Sequence, residues 1–253
     1  MKIHGIEVDF SNLRSETYAK DSRIPTTVIG TPIEDSYRRD FTMNALYFNL
    51  QTQEVEDWTR RGLADLLENK VVVTPLEAFR TFHDDPLRVL RAIRFAVRFD
   101  MELAHDLKKA SMDVQIHKEL HRKVSRERVG KELEGMLSGK HANPQKALQL
   151  ICDLHLAGGV FCVPPPNVST RGTIGQAHLE QVPYLGETEE DLAHLRQLAW
   201  EEARQCLFVL PKLLNGLPRP KVGGTTIDNR LVFLATVLLP YEHLQYEDKN
   251  KVK

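Results

Sequence analysis

The chain has 253 residues, of which 42% are hydrophobic and 27% charged, as in an ordinary soluble globular protein. This length can bury a real core, in one large or two small domains. The formal net charge of −1 excludes nucleic-acid affinity from bulk charge and confines any such affinity to a local basic face. Three cysteines without Cys-x-x-Cys spacing argue against a disulfide framework or zinc site and indicate a reduced compartment. We find no apolar run of transmembrane length and no secretory signal, so we expect no membrane partner.

Hydrophobic periodicity predicts a mixed α/β part up to about residue 75 and an all-α part beyond it. Strands are predicted over 3–14, 46–50, 54–57 and 70–73, and a polar loop over 15–31. Helices are predicted over 32–46, 62–67, 76–82, 86–99, 102–112, 125–138 and 144–156, with Gly158-Gly159 ending the last one. Further loops are predicted over 163–176 and 217–225, and helical or buried segments over 188–214 and 227–239.

The segment 84–98 carries the most informative pattern in the chain. Asp85 can cap a helix, and Pro86 suits its first turn, where a missing N–H costs nothing. Beyond this start, arginines recur every three or four residues and share one helix face: Arg88, Arg91, Arg94 and Arg98. Guanidinium groups suit phosphates and an Asp–Arg pair suits a base edge, so we predict a nucleotide-binding face. The alternative is a solvated basic face, with carboxylates placed at the helix start by the helix dipole.

A second cluster is the run Arg38-Arg39-Asp40, followed by Asn44. On the predicted helix 32–46, Asp40 and Asn44 would share a face one turn apart. The two arginines could grip a triphosphate, while Asp40 and Asn44 could take ribose hydroxyls. The alternative is an ordinary salt-bridged surface helix, against which the adjacent apolar run 41–48 argues.

Two further patterns favour structural interpretations. Ser125 is a suitable N-cap, and Glu127 with Lys131 makes an i,i+4 pair, so a capped helix accounts for 125–132 taken alone. His83 beside Asp84 would suit a metal-dependent phosphohydrolase. We reject that interpretation because no further His/Asp pair has suitable spacing.

The order of these motifs resembles that of the class II nucleotidyltransferases, which are the tRNA CCA-adding enzymes and the related bacterial-type poly(A) polymerases. The motifs are VDFSNLR at 8–14, RRDFTMNA at 38–45, EDWTRRGLADL at 56–66, DDPLRVLRAIRFAVRF at 84–99 and SRERVGKELEGML at 125–137. Segments 12–18, 21–25 and 81–86 are most similar to the eukaryotic CCA-adding branch. The resemblance covers roughly residues 3–160 and continues more weakly to 240.

The resemblance implies that a helix templates the incoming nucleotide. Asp85 and Arg88 match the pair that reads the Watson–Crick edge of CTP or ATP. Asp84 matches the acidic residue that holds Arg88 in place, where many members have Glu. Arg91 matches a residue near the triphosphate. The pairing is chemically sensible, because Asp85 accepts, Arg88 donates, and cytosine and adenine share an amino donor next to a ring-nitrogen acceptor.

The resemblance implies further nucleotide contacts and supporting roles. The residues implicated in ribose and triphosphate recognition are Arg38, Arg39, Asp40 and Asn44. The loop 15–31 matches a flexible loop that helps to switch from CTP to ATP. The segment 125–132 matches the family's fifth motif, which has a supporting role, and the supporting residues are Arg94, Glu127 and Arg128.

One departure from the family pattern is large. Family members begin with a glycine-rich segment and an Asp-x-Asp that binds two Mg²⁺ ions, which activate the primer 3′-hydroxyl. This sequence contains no Asp-x-Asp. Asp9, on the first predicted strand, is the one catalytic candidate and supplies at most a third of a metal site. We also expect the tail that clasps the tRNA elbow to be missing, and we therefore expect a fragment of a longer protein or a non-catalytic remnant.

These patterns together predict an α+β fold in three parts: the end of a nucleotidyltransferase head with a mixed sheet (1–75), a helical neck (76–160) and a partial helical body (161–253). The expected function is CCA addition to the tRNA 3′ end from CTP and ATP with release of pyrophosphate. Mg²⁺ is expected for the complete enzyme, whereas this chain is expected to bind nucleotide without catalysing addition. The alternatives are a poly(A) polymerase and a non-enzymatic RNA-binding protein. The cytoplasm, nucleus and mitochondrion all remain open as compartments, as does the oligomeric state.

Overall fold

The structure is a computed structural model of the chain. It describes residues 1–17, 26–138 and 141–161, together with residues 205, 207, 221–222, 225–226 and 232–235. The chain forms two compact units, Met1–Leu133 and Glu134–Lys253. The mixture of helices and small sheets confirms the predicted α+β class. The division into head, neck and body stays a prediction.

Short paired strands dominate the beginning of the first unit. The antiparallel pairs are β1 (Lys2–Ile3) with β2 (Ile6–Glu7), β3 (Arg14–Thr17) with β4 (Thr26–Ile29), and β5 (Leu46–Asn49) with β6 (Glu54–Asp57). A parallel pair joins β7 (Val71–Val72) to β8 (Glu102–Leu103). This last pair ties the strand-rich segment to the helices that follow it.

Helices make up most of the remainder. In the first unit they are α1 (Pro32–Tyr37), α2 (Gly62–Leu67), α3 (Ala78–Asp84), α4 (Leu87–Arg98), α5 (His105–Ser111) and α6 (Val114–Lys123). Helix α7 (Arg126–Leu137) runs across the boundary between the units. The described elements of the second unit are α8 (Pro144–Asp153), α9 (Ala157–Phe161) and the strand pair β9 (Lys221–Val222) and β10 (Thr225–Thr226).

The start of α2 shows how the local sequence fixes one part of the first unit. The Asp57 carboxylate accepts a hydrogen bond from the Leu63 N–H at 3.1 Å, and the Thr59 hydroxyl accepts one from the Gly62 N–H at 3.2 Å. These side chains satisfy N–H groups that a helix end leaves unpaired. A Cβ at Gly62 would lie 2.5 Å from the Thr42 carbonyl oxygen, so the close approach of this helix to the 3-10 turn Thr42–Asn44 requires glycine.

The core of the first unit lies under α3, α4, α5 and α6. Its largest fully buried side chains are Phe41, Phe82, Leu90, Ile93, Met101, Leu107, Ile116 and Leu120. Burial of each such side chain contributes about 1.5–3 kcal/mol before conformational entropy is subtracted. The apolar face of α4 is thereby anchored, which fixes the direction in which its arginine face points.

The structure contradicts three predictions in the strand-rich segment. The predicted strand 3–14 is interrupted, because His4 and Gly5 adopt positive φ (49° and 82°) and turn β1 back on itself as β2. The predicted loop 15–31 contains most of β3 and all of β4, whereas its residues 18–25 lie outside the described residues. The predicted helix 32–46 ends at Tyr37, and an extended Phe41 (φ −134°, ψ 151°) separates it from the 3-10 turn.

The predictions for the helical part are closer. The spans 62–67, 86–99 and 125–138 are confirmed as helices to within a residue at either end. The span 102–112 begins instead as β8 and becomes α5 only at His105, and α6 was not predicted. The predicted helix 144–156 ends at Asp153, and Gly158 and Gly159 lie inside α9 instead of ending a helix.

Predictions beyond residue 161 mostly cannot be compared. The spans 163–176, 188–214 and 227–239 lie outside the described residues apart from isolated positions. The predicted loop 217–225 is wrong in part, since it contains β9 and the first residue of β10.

Candidate nucleotide site

The buried carboxylate of Asp35 holds both Arg38 and Arg39. Oδ1 of Asp35 accepts hydrogen bonds from Arg38 Nε at 2.9 Å and from the Arg14 backbone N–H at 3.1 Å. Oδ2 accepts bonds from Arg39 Nη2 at 2.8 Å and from the Tyr47 hydroxyl. Only 1% of Asp35 is exposed. Both arginines therefore have their guanidinium groups fixed by one acid three or four residues earlier on α1.

The environment of Asp35 keeps it ionised. Burial raises its pKa, but the hydrogen bonds from Tyr47, Arg38, the Arg14 N–H and Arg39 outweigh burial and lower the pKa well below the ordinary value of 3.8. Asp35 was not among the predicted site residues. Its spacing to both arginines was a visible signal, whereas its contacts with Arg14 and Tyr47 depend on the fold.

Asp40 and Asn44 contact each other, but not on the predicted helix. Asn44 Nδ2 donates to Asp40 Oδ1 at 3.0 Å, and the same oxygen accepts the Phe41 N–H at 3.0 Å. Arg38 is the C-cap of α1. The contact is therefore made across the turn that follows α1, because burial of Phe41 draws the chain out of the helical conformation.

The face of α4 predicted to carry arginines is confirmed, and carboxylates from other elements hold two of its members. Arg91 Nε donates to Asp40 Oδ2 at 2.6 Å, and Arg94 Nε donates to Glu132 Oε2 of α7 at 2.5 Å. Arg91 Nη1 lies 3.7 Å from the other oxygen of Glu132. A merely solvated basic face is therefore the wrong description of Arg91 and Arg94.

Arg88 is oriented by backbone carbonyls. Its Nη2 donates to the Arg38 carbonyl at 2.9 Å, and its Nη1 donates to the Thr81 carbonyl at 3.3 Å. Burial raises the pKa of Asp84 above 3.8, and the charge of Arg88 is the strongest of several cations that oppose this shift. That Asp84 holds Arg88 in place stays a prediction, whereas the anchor of Arg88 to the Arg38 carbonyl is a contact that the sequence did not reveal.

Asp85 lies between α3 and α4 in an extended conformation (φ −140°, ψ 101°). Its carboxylate accepts the Leu87 N–H at 3.3 Å, which supports the start of α4. The prediction that Asp85 is the N-cap is wrong by one residue, because the N-cap is Pro86. Both terminal nitrogens of Arg128 also donate to it, at 3.3 Å to Oδ1 and 2.7 Å to Oδ2. Arg128, predicted as a supporting residue, is a direct partner of the predicted base-reading acid.

A cleft of about 430 Å³ lies beside this arrangement. Its walls include residues of β3, α3, α4 and the end of α1: Glu16, Arg38, Arg80, Thr81, Asp84 and Arg88. The cleft brings together three of the predicted nucleotide contacts, Arg38, Asp84 and Arg88. The other predicted contacts lie outside its lining: Arg39, Asp40, Asn44, Asp85 and Arg91. Glu16 and Arg80 are lining residues that the sequence analysis missed.

The remaining predicted residues are exposed. Glu127 forms the expected pair with Lys131 at 2.7 Å, which lowers the pKa of Glu127. Asp9 is exposed and follows β2 instead of lying on a strand. Among the residues that the structure describes, no group of three or more His, Cys, Asp or Glu side chains could hold a metal ion. No helix within the described ranges is long and apolar enough to cross a membrane.

Comparison with known proteins gives the same family from several sources. Residues 1–72 match a family model described as the poly A polymerase head domain. The chain is 51% identical over 160 residues to the mitochondrial CCA tRNA nucleotidyltransferase of Candida glabrata, covering 63% of this chain and 30% of that protein. It is 39% identical over 254 aligned positions to the mitochondrial CCA tRNA nucleotidyltransferase of Saccharomyces cerevisiae, covering 100% of this chain and 45% of that protein.

Solved structures agree on the fold. The apo form II of a CCA-adding enzyme superimposes with a TM-score of 0.54 at 24% identity, covering 94% of this chain and 46% of that one. The Bacillus stearothermophilus CCA-adding enzyme in complex with CTP gives a TM-score of 0.50 at 24% identity, covering 93% and 60%.

The fold is that of CCA-adding nucleotidyltransferases. The chain is similar along its whole length to a tRNA CCA-adding enzyme, and its first 72 residues match the poly A polymerase head domain. It spans less than half the length of the two yeast relatives.

Proposed function

We propose that this chain supplies the nucleotide-selecting part of tRNA CCA addition, in which CMP and AMP are transferred from CTP and ATP to the tRNA 3′ end with release of pyrophosphate. The observation that carries the proposal is the cleft in which Arg38, Asp84 and Arg88 meet. The names of the yeast relatives support the choice of tRNA as the RNA partner.

Selection follows from donors and acceptors. Asp85 accepts and Arg88 donates, which suits the amino group and adjacent ring nitrogen of cytosine and adenine. Guanine and uracil present the opposite pattern and would leave polar groups unpaired, at about 1–3 kcal/mol each. The two carbonyls that hold Arg88 fix the plane of its guanidinium before a base arrives. The remaining predicted contacts, Arg39, Asp40, Asn44 and Arg91, are proposed to act around the ribose and triphosphate.

The metal chemistry of the family is not assigned to these residues. Nucleotidyl transfer generally depends on metal ions, and Mg²⁺ is the ion that we propose for the complete enzyme. The described part of this chain offers no group of three or more ligand side chains that could hold an ion, with or without Asp9. We therefore propose that the chain binds CTP and ATP but does not catalyse addition unaided.

Calorimetric titration of the purified chain with each of the four nucleoside triphosphates tests the proposal. We expect CTP and ATP to bind about tenfold more tightly than UTP and GTP, a ratio that corresponds to one unpaired polar group. Arg88→Ala should abolish the preference. Arg98→Ala is the matched control, because Arg98 is on the same helix but outside the cleft. Equal binding of all four nucleotides would overturn the proposal.

A turnover assay tests the second part. The chain is incubated with Mg²⁺, labelled CTP or ATP, and a tRNA that lacks its 3′ CCA. We expect no labelled tRNA, and incorporation would show that the chain is sufficient for catalysis. Preference for ATP alone in the titration would favour poly(A) polymerase instead. The mitochondrial names of both yeast relatives favour the mitochondrion as the compartment, which localisation of the tagged protein would test.

A further inference from the structure

One face of α7 carries two opposite charges, one of which contacts Asp85 and the other the arginine face of α4. Arg128 and Glu132 are four residues apart and therefore lie on the same side of the helix. Arg128 pairs with Asp85 through both terminal nitrogens, and Glu132 pairs with Arg94 at 2.5 Å. Helix α7 thus holds the carboxylate of Asp85, just before α4, and the guanidinium of Arg94, farther along α4.

The contact between Arg128 and Asp85 limits what the carboxylate can still accept. Each carboxylate oxygen has two lone pairs. Oδ1 of Asp85 accepts two donors, the Leu87 N–H and Arg128 Nη1, both at 3.3 Å. Among the hydrogen bonds of the described residues, Oδ2 accepts one, from Arg128 Nη2 at 2.7 Å. One acceptor position on Oδ2 therefore remains for a further donor.

We propose that Arg128 is a positioning residue for base selection. Its planar fork fixes the rotation of the Asp85 carboxylate and leaves a single acceptor position of defined direction. This inference rests on the proposed function. An amino group of cytosine or adenine satisfies that position with one N–H. The carbonyl oxygen of uracil or guanine would meet a lone pair there, and the fixed carboxylate cannot rotate away from it.

The geometry of the contact predicts that arginine and lysine at position 128 differ in how well they fix the Asp85 carboxylate. Guanidinium donates two parallel bonds to a carboxylate, whereas an ammonium acts as a point charge and leaves the carboxylate free to turn. Arg128→Lys should therefore keep the charge but lose part of the selectivity. A purely structural tie between α7 and the junction of α3 and α4 would instead affect stability and leave the ratio of nucleotide affinities unchanged.

The test is titration of the full 253-residue chain with CTP and with UTP. In Arg128→Gln we expect the preference for CTP over UTP to fall about tenfold, the equivalent of one misplaced hydrogen bond. The preference of Arg128→Lys for CTP over UTP should lie between that of the parent chain and that of Arg128→Gln. Lys131→Gln is the matched control, because it removes one positive charge from the same helix, and its side chain pairs with Glu127 and is 71% exposed.

A double-substitution cycle shows whether Arg128 acts through Asp85. In an Asp85→Asn background, Arg128→Gln should change the CTP/UTP ratio no further. If the ratio is unchanged in folded Arg128→Gln and Arg128→Lys while the parent chain discriminates, the positioning role is wrong and the proposed function stands. If the parent chain does not discriminate at all, the proposed function itself fails. Circular dichroism establishes folding, and Arg128→Lys carries the test if Arg128→Gln does not fold.

Discussion

Arg91 Nε donates a 2.6 Å hydrogen bond to Asp40 Oδ2, which joins two residues 51 positions apart in the sequence. The other oxygen of Asp40 holds the Phe41 N–H and the Asn44 side chain. One carboxylate therefore fixes the turn after α1 and ties it to the arginine face of α4. The relative placement of the two predicted nucleotide-binding motifs depends on this contact.

Replacing Asp40 tests that dependence. Asp40→Asn removes the shorter of the two ion pairs of Arg91 and leaves the longer one, with Glu132. We expect the free energy of unfolding to fall by about 2–3 kcal/mol, somewhat less than for a fully buried ion pair because Arg91 is partly exposed. Urea denaturation measures the change. Glu127→Gln, which breaks an exposed pair, should change stability by less than about 0.5 kcal/mol and serves as the control.

The stabilisation that Asp35 provides should depend on pH. Its pKa is lowered in the folded chain, so the unfolded chain takes up the proton first as the pH falls. The gap in unfolding free energy between the parent chain and Asp35→Asn should be full above about pH 5 and shrink as the pH drops through and below the ordinary value. Thermal unfolding at pH 7, 5 and 3 measures it. A gap that is constant across this range would contradict the assignment of Asp35 as the ionised centre of the network.

The contribution of Asp84 to stability should change with pH in the opposite direction to that of Asp35. Burial raises its pKa, so the folded chain holds the proton more tightly, and ionisation of Asp84 lowers stability as the pH rises above about 4. Asp84→Asn should therefore leave stability at pH 7 unchanged or increase it, while weakening nucleotide binding because Arg88 loses the charge that attracts it. Thermal unfolding and CTP titration of the same sample separate the two effects. A large loss of stability would contradict this account.

Two glycines on helices, Gly62 and Gly130, differ in whether the packing leaves space for a Cβ. Gly62→Ala places a Cβ 2.5 Å from the Thr42 carbonyl and should cost about 1–3 kcal/mol. Gly130→Ala lies on α7 with nothing within 4 Å of the new Cβ and should stabilise the helix by up to about 1 kcal/mol. Urea denaturation of both variants gives the difference directly. Equal effects would show that the turn at Thr42 can move away from α2.

The sequence predicted the elements whose signals are local. Helix α4 was found to within a residue at each end, because its apolar and arginine faces both repeat with the helical period. Arg38, Asp84 and Arg88 were predicted nucleotide contacts and line one cleft. Helix α6 was missed because only three of its residues are apolar, Val114, Ile116 and Leu120, which is too few to show a period.

The remainder depended on contacts that are distant in sequence. The predicted helix through Arg38 and Arg39 fails because Phe41 is buried in extended conformation, a tertiary effect that overrides local propensity. Asp35 gathers donors from β3 and β5 as well as from Arg38 and Arg39, and only its spacing to these two arginines was visible in the sequence. The partner of Asp85 lies on α7, and only the packing of helices brings the two together.

The pairing of Arg38 and Arg91 with acids has a consequence for how a nucleotide reaches the site. Arg38 contacts Asp35 and Glu16, and Arg91 contacts Asp40, so positive charge is balanced within a few ångströms of where it lies. Little long-range field then extends into solvent to draw in an anion. These arginines therefore orient a bound nucleotide but hardly attract a free one from a distance. The rate at which a nucleotide associates should change little with ionic strength.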